Sequence, residues 1–75
     1  MQPQIIRLND LHPDGVRIRV SWEKMVVNAS IFIPCIDTDT ALKQVKDIAE
    51  EREWVITTRV QIEAGKLGVR IWRDL

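Results

Sequence analysis

Hydrophobic and polar residues alternate with a period of two in several segments of the chain, and this alternation predicts β-strands. The segments cover residues 16–22, 25–33, 53–63 and 67–73. Glu23 and Lys24 separate the first two segments, and a stretch that contains Gly65 separates the last two. We therefore predict one hairpin in each half of the chain.

Between the two predicted hairpins the hydrophobic period changes. Apolar residues now recur every three or four positions, as they do in an amphipathic helix. These residues are Leu42, Val45, Ile48 and Ala49. The letters DTDT at residues 37–40 are all suitable helix caps, so the capping residue stays open among the four. We predict one helix within residues 37–53.

Two hairpins around one helix predict an α+β domain with a four-stranded, mostly antiparallel sheet and one helix on one face (ββαββ). The domain spans residues 15–75, and residues 1–14 are expected to form an N-terminal arm or a short extra strand. The letters HPDG at residues 12–15 predict a turn between the two. The strand order stays open, because a right-handed crossover allows more than one arrangement.

One helix covers only one face of such a sheet, so the two phases of the alternation have different environments. The phase that is richer in large aliphatic residues is expected to lie under the helix, with Trp22 and Trp54 largely buried. Its other members are Val16, Ile18, Val20, Val27, Ile31, Ile33, Ile56, Val60, Ile62, Val69 and Ile71. The opposite phase is expected to face solvent.

The solvent-facing phase carries the candidate binding residues. These are Arg17, Arg19, Phe32, Arg59, Arg70 and Trp72. A wet sheet face, with arginines lying over apolar neighbours, explains any single arginine without a ligand. The two exposed rings, Phe32 and Trp72, favour a contact surface, because aromatic and arginine side chains anchor protein interfaces.

Charge is balanced in total but not in distribution. The chain has 11 basic and 11 acidic residues, so bulk charge predicts no polyanionic ligand. Residues 37–53 contain six acidic and three basic side chains, whereas the predicted solvent-facing phase contains four arginines. The sequence therefore predicts an acidic helix and a basic, partly aromatic sheet face.

Three kinds of partner are compatible with this face. Another protein with an acidic surface fits it best, and we favour that interpretation. Single-stranded nucleic acid is the alternative, with bases stacked on the rings, although the chain lacks an RNP-like aromatic pair and has no tyrosine. A second copy is the third, as a homodimer or a subunit of a larger assembly. A self-interface would use a sheet edge or the acidic helix instead, because arginines facing their own copies would repel.

The chain carries no catalytic signature. His12 is expected in a solvated turn, Cys35 as a small, semi-buried hydrophobe, and Asp37 and Asp39 at the helix start rather than on a metal. No phosphate loop, nucleophile elbow or paired catalytic carboxylate is present. We therefore expect no enzyme, no cofactor and no metal site. The single cysteine favours a cytoplasmic location, and no apolar stretch approaches the ~20 residues of a membrane span.

The letters SIFIPCID before the predicted helix and GKLGVRIWRDL at the C-terminus resemble small uncharacterised proteins of tailed bacteriophages. The resemblance covers the chain from Ser30 onward and consists of a β–α–β–β pattern. It implies a phage protein that binds and inhibits a host component in the host cytoplasm. It transfers no catalytic or binding residue to this chain.

Overall fold

A computed structural model describes residues 10–75 of the chain. Its elements are a 3-10 helical turn at Trp22–Lys24, strand β1 at Ser30–Pro34, helix α1 at Thr38–Glu51, strand β2 at Ile56–Glu63 and strand β3 at Lys66–Arg73. The strands form one antiparallel sheet in the order β1-β3-β2. The α+β class with one helix is confirmed, whereas the predicted fourth strand is not seen among the described residues. In the same part of the chain, no helix is long and apolar enough to cross a membrane.

The predicted first hairpin is wrong. Within residues 16–22, the one sheet-like pairing is an isolated bridge in which the Leu11 nitrogen donates to the Ile18 oxygen at 3.0 Å. Two local features explain the difference. The segment around Glu23 lacks the residues that favour a tight hairpin, and it forms the 3-10 turn instead. Asn28 has a φ of 73°, which interrupts the extended conformation in the middle of the predicted second strand.

The predicted N-terminal arm, residues 1–14, falls mostly on residues 1–9, which lie outside the described residues. The turn predicted at residues 12–15 does form, since the Gly15 nitrogen donates to the His12 oxygen at 3.2 Å.

Helix α1 forms as its hydrophobic period predicts. Asp37 is the capping residue, because its carboxylate accepts hydrogen bonds from the Thr40 nitrogen at 3.1 Å and from the Thr40 hydroxyl at 2.8 Å. The hydrogen bond from the backbone N–H of Thr40 lowers the pKa of Asp37. The buried stripe of the helix consists of Ala41, Val45, Ile48 and Ala49. Helix α1 therefore packs one apolar face on the sheet and leaves its acidic residues in solvent.

The core lies between α1 and one face of the sheet. Val69 and Ile71, on the central strand β3, are 0% exposed, and Ile33 on β1 is also buried. This confirms which phase of the alternation lies under the helix. The remaining buried hydrophobic residues outside α1 are Leu11, Trp22, Met25 and Cys35. Trp54 is half-buried, with its ring centroid 6.2 Å from that of Trp22.

Four positions predicted to be buried are instead exposed. These are Val16 (71%), Val27 (45%), Val60 (45%) and Ile62 (70%). Val16 is exposed because its segment does not join the sheet, and Val27 because it lies in the turn with Asn28 that precedes β1. Val60 and Ile62 do lie in the phase of β2 that faces the helix side. They are exposed because α1, which has 14 residues, leaves this end of the β2–β3 hairpin uncovered.

Candidate binding face

The strand register brings four of the predicted binding residues together. Phe32, Arg70 and Arg59 lie in one row across β1, β3 and β2, and Trp72 lies in the next row, between Ser30 and Thr57. Residues directly opposite each other in antiparallel strands share a face. We call the sheet surface opposite the helix the open face. Its members are Ser30, Phe32, Thr57, Arg59, Gln61, Glu63, Lys66, Arg70 and Trp72.

Arg70 is held in place at the centre of the open face. Its Nε donates to Glu63 Oε2 at 2.8 Å, its Nη2 contacts Glu63 Oε1, and its Nη1 donates to the Ser30 hydroxyl at 3.2 Å. The hydrogen bonds from this guanidinium lower the pKa of Glu63, and the carboxylate raises the pKa of Arg70 in turn. The positive charge of Arg70 is therefore balanced within the chain.

Phe32 lies beside this pair, with its ring centroid 5.6 Å from the Arg70 guanidinium carbon. The ring also lies against Gly68, where an added Cβ would be 2.7 Å from Phe32 Cζ and 2.3 Å from the Ile33 oxygen. A glycine on the central strand thus makes room for the ring. Sequence reasoning missed this role of Gly68, although a glycine inside a strand is a known sign of close approach.

Trp72 and Arg59 border a shallow hollow at the β2 side of the open face, which Thr57 and Thr58 complete. Trp72 is half-buried, and the Thr57 hydroxyl beside it donates to Asp74 Oδ2 at 2.6 Å. Arg59 is exposed and makes no hydrogen bond or ion pair with any residue in 10–75. The hollow therefore combines an aromatic surface with an arginine that is available to a ligand.

Arg17 and Arg19 do not lie on the open face, so their predicted placement is wrong. Both line a separate cleft with Asp10 and Arg52, because the segment that carries them is not a strand. Arg17 Nε lies 2.9 Å from Asp10 Oδ2, and the two side chains are 19% and 7% exposed. Their role in binding stays a prediction, but it cannot belong to the same surface as Trp72.

Cys35 and the acidic residues near the start of α1 lie in surroundings that explain them without catalysis or metal binding. Cys35 is buried, and desolvation raises its pKa, with further contributions from the carboxylates of Asp14 and Asp37. A thiol with a raised pKa is a poor nucleophile at neutral pH. The Asp14 carboxylate accepts hydrogen bonds from the backbone nitrogens of Ile36 and Asp37, the latter at 2.7 Å. Within residues 10–75, no group of three or more histidine, cysteine or acidic residues is arranged to hold a metal ion.

Comparison of the chain with protein-family models, with curated proteins and with solved structures gives no match. The class that residues 10–75 define is a small α+β domain with a three-stranded antiparallel sheet, one face covered by α1 and one face that the described residues leave open. The side chains of the open face are therefore the observations from which a function is proposed.

Proposed function

We propose that the protein is a non-enzymatic binding protein that engages another protein through its open face. The observation that carries this proposal is the position of Phe32 and Trp72 on the sheet surface opposite the helix, beside the unpaired Arg59. Aromatic side chains and arginine are the residue types that most often anchor protein interfaces. The three strands fix the backbone of these residues, and the Phe32 and Trp72 rings are half-buried, so the loss of side-chain entropy on binding falls mainly on Arg59.

The charge of the open face favours a protein over a nucleic acid. Arg70 is paired with Glu63, and Arg17 and Arg19 lie in a different cleft. Affinity for a phosphate backbone depends on several unpaired cations that displace counterions. Arg59 supplies such a cation beside Trp72, and Lys66 lies apart from it, opposite Glu63 at the turn end of the same face. Two separated cations and an aromatic surface fit a protein patch in which an acidic group lies next to an apolar one.

The resemblance to phage proteins makes a host protein the expected partner. Binding would then inhibit, or otherwise redirect, a component of the host cytoplasm. A cytoplasmic location is supported by the single cysteine, Cys35, which is buried as a free thiol.

The proposal is tested with variants of the open face. Affinity capture from a lysate of the source cell, with mass spectrometry, would identify a partner, which is then purified and titrated. Arg59→Glu and Trp72→Ala are expected to raise the Kd at least ~10-fold, since each removes an anchor at the centre of a contact. Lys43→Glu, an equal charge change on an exposed residue of α1, is the control and should leave the Kd unchanged. If both open-face variants bind like the wild type, the open face is not the binding surface.

Single-stranded nucleic acid is the alternative ligand of the same face. Titration with oligo-dT and oligo-U at low salt would quench tryptophan fluorescence if bases stack on Trp72. A Trp72→Phe variant separates this signal from those of Trp22 and Trp54. A saturable response that weakens steeply as salt rises would replace the protein proposal with the nucleic-acid one.

A further inference from the structure

Strand β2 forms an edge of the sheet, and its outer side has no partner among residues 10–75. The strand order is β1-β3-β2, and β2 has eight residues, Ile56–Glu63. Edge strands commonly avoid association through proline, lysine, a bulge or short length. Strand β2 contains no proline and no lysine, and its register with β3 is continuous from Ile56 to Glu63. This edge is therefore able to accept another strand.

The hydrogen bonds of β3 determine which backbone groups of β2 point outward from the sheet. The Leu67 oxygen accepts from the Cys35 nitrogen, and Arg73 exchanges hydrogen bonds with Asn28 and Ala29, so both β3 residues point toward the β1 side. Because backbone direction alternates along a strand, Gly68 and the other even-numbered residues of β3 point toward β2.

Their partners on β2 are Thr57, Arg59 and Gln61, whose backbone groups therefore point inward. The N–H and C=O groups of Thr58, Val60 and Ile62 then point outward, because the direction alternates on β2 as well. Those of Val60 and Ile62 have no hydrogen-bond partner in the described part of the chain.

The same edge carries an exposed apolar row on the helix side of the sheet. Val60 is 45% exposed, Ile62 is 70% exposed, and Leu67, opposite Ile62 on β3, is 41% exposed. An apolar row beside unpaired backbone groups is the pattern that pairs with another strand.

We propose that β2 pairs with β2 of a second copy of this chain, antiparallel and around a two-fold axis at Gln61. In this register Gln61 lies opposite Gln61 of the second copy, Val60 lies opposite Ile62, and Arg59 lies opposite Glu63. The outward backbone groups of Val60 and Ile62 become hydrogen-bonded pairs. Each Arg59, which has no partner within residues 10–75, gains the Glu63 carboxylate of the other copy. Glu63 already accepts from Gln61 Nε2 and twice from Arg70, and a carboxylate with about four acceptor sites has one left for Arg59 of the second copy.

The neighbouring registers are less favourable. With the axis at Arg59, the two guanidinium groups would lie directly opposite each other and repel. With the axis at Val60, Arg59 would lie opposite Gln61 and gain no ion pair. With the axis at Ile62, Arg59 would lie opposite Gly65 and would also gain no ion pair. Of these registers, the one at Gln61 is therefore the one in which the charged and the apolar residues both find matching partners. It produces a six-stranded sheet with both helices on one side and two open faces on the other. It assigns Arg59 to Glu63 of the second copy and not to a ligand of the open face, so the two proposals are distinguished with other residues: Ile62, on the helix side, for the dimer and Trp72 for the open face.

The first test measures association of the full chain by sedimentation velocity over a range of protein concentrations. The wild type is expected to shift from monomer to dimer as concentration rises. Ile62→Lys should raise the dimer Kd at least ~10-fold, because it places a charge in both symmetric apolar pairs. Ile36→Lys, at a position that is 83% exposed but outside the sheet, is the control and should dimerise like the wild type. A wild type that stays monomeric up to millimolar concentration overturns the proposal.

The second test determines the register by cross-linking. Directly opposite residues in a non-hydrogen-bonded pair have Cα atoms ~4.5 Å apart, which suits a disulfide. Gln61→Cys should therefore form a covalent dimer under mild oxidation, whereas Thr57→Cys on the same strand and face should not. Wild-type protein controls for Cys35, which is buried. Cross-linking at residue 57, or a dimer that residue 61 fails to cross-link, overturns the register.

Discussion

Replacement of Gly68 by alanine tests how closely β1 and β3 approach each other below Phe32. A Cβ at Gly68 would lie 2.3 Å from the Ile33 oxygen and 2.7 Å from Phe32 Cζ. The carbonyl oxygen would have to retreat by about 0.7 Å to reach 3.0 Å, the distance below which Cβ contacts are essentially never seen. A ring can rotate away, but a backbone oxygen in a strand pair moves only with its strand.

Two opposing effects determine the size of the change. Overpacking of this kind costs ~1–3 kcal/mol, and the reduced freedom of the unfolded chain returns ~0.4–1 kcal/mol. We therefore expect Gly68→Ala to lower the free energy of unfolding by ~1–2 kcal/mol. For a domain of this size, such a loss lowers the Tm by roughly 5–15 °C.

Urea unfolding followed by tryptophan fluorescence measures the effect, with Lys66→Ala, an exposed position on the same strand, as the control. Adding Phe32→Leu separates the ring contact from the backbone contacts with the Ile33 oxygen and, at 2.8 Å, Pro34 Cα, because a shorter side chain relieves the ring contact and leaves the backbone contacts in place. Most of the loss caused by Gly68→Ala should persist in the Phe32→Leu background. A Gly68→Ala protein within ~0.5 kcal/mol of the wild type would refute the close approach of the two strands.

Two further predictions concern the core and the open face. Ile71→Val, at a position that is 0% exposed, should lower the free energy of unfolding by ~0.5–1.5 kcal/mol, while Ile36→Val, at 83% exposure, should have little effect in the same urea titration. Equal losses in the two variants would contradict the assigned core. Because the hydrogen bonds from Arg70 lower the folded-state pKa of Glu63, the stability that this pair contributes is present above the ordinary pKa of 4.5 and is lost as pH falls through the folded-state pKa. On going from neutral to acid pH, the urea midpoint of Glu63→Gln should therefore fall less than that of the wild type. Glu23→Gln is the control, and an equally reduced fall in that variant would contradict the contribution of the Glu63–Arg70 pair.

The second half of the fold could be predicted from the sequence because its signals are local. The period of the helix is set by residues within two turns of one another, and the capping oxygen of Asp37 lies three residues from the nitrogen it accepts from. The β2–β3 hairpin turns at Ala64 and Gly65, both with positive φ, as a two-residue hairpin loop requires. Its alternation correctly assigned Arg70 and Trp72 to the face away from the helix.

The first half could not be predicted in the same way. Residues 16–22 alternate as strictly as β3 does, yet β3 has two neighbouring strands while this segment has one bridge, from Ile18 to Leu11. Alternation states which side chains share a direction if a strand forms, but the strand forms only where a partner supplies its hydrogen bonds. The predicted position of Arg17 and Arg19 on the solvent-facing side of the sheet required a partner strand for residues 16–22.

By itself, therefore, the sequence determined the helix, the last hairpin and the side of the sheet on which Phe32 and Trp72 lie. The tertiary structure decided how many strands join the sheet, which arginine is paired with Glu63, and that Val60 and Ile62 stay exposed at the edge. The physical reason is the range of the interactions. Periodicity and capping act over a few residues, whereas strand pairing and burial depend on which distant segment of the chain comes to lie beside each position.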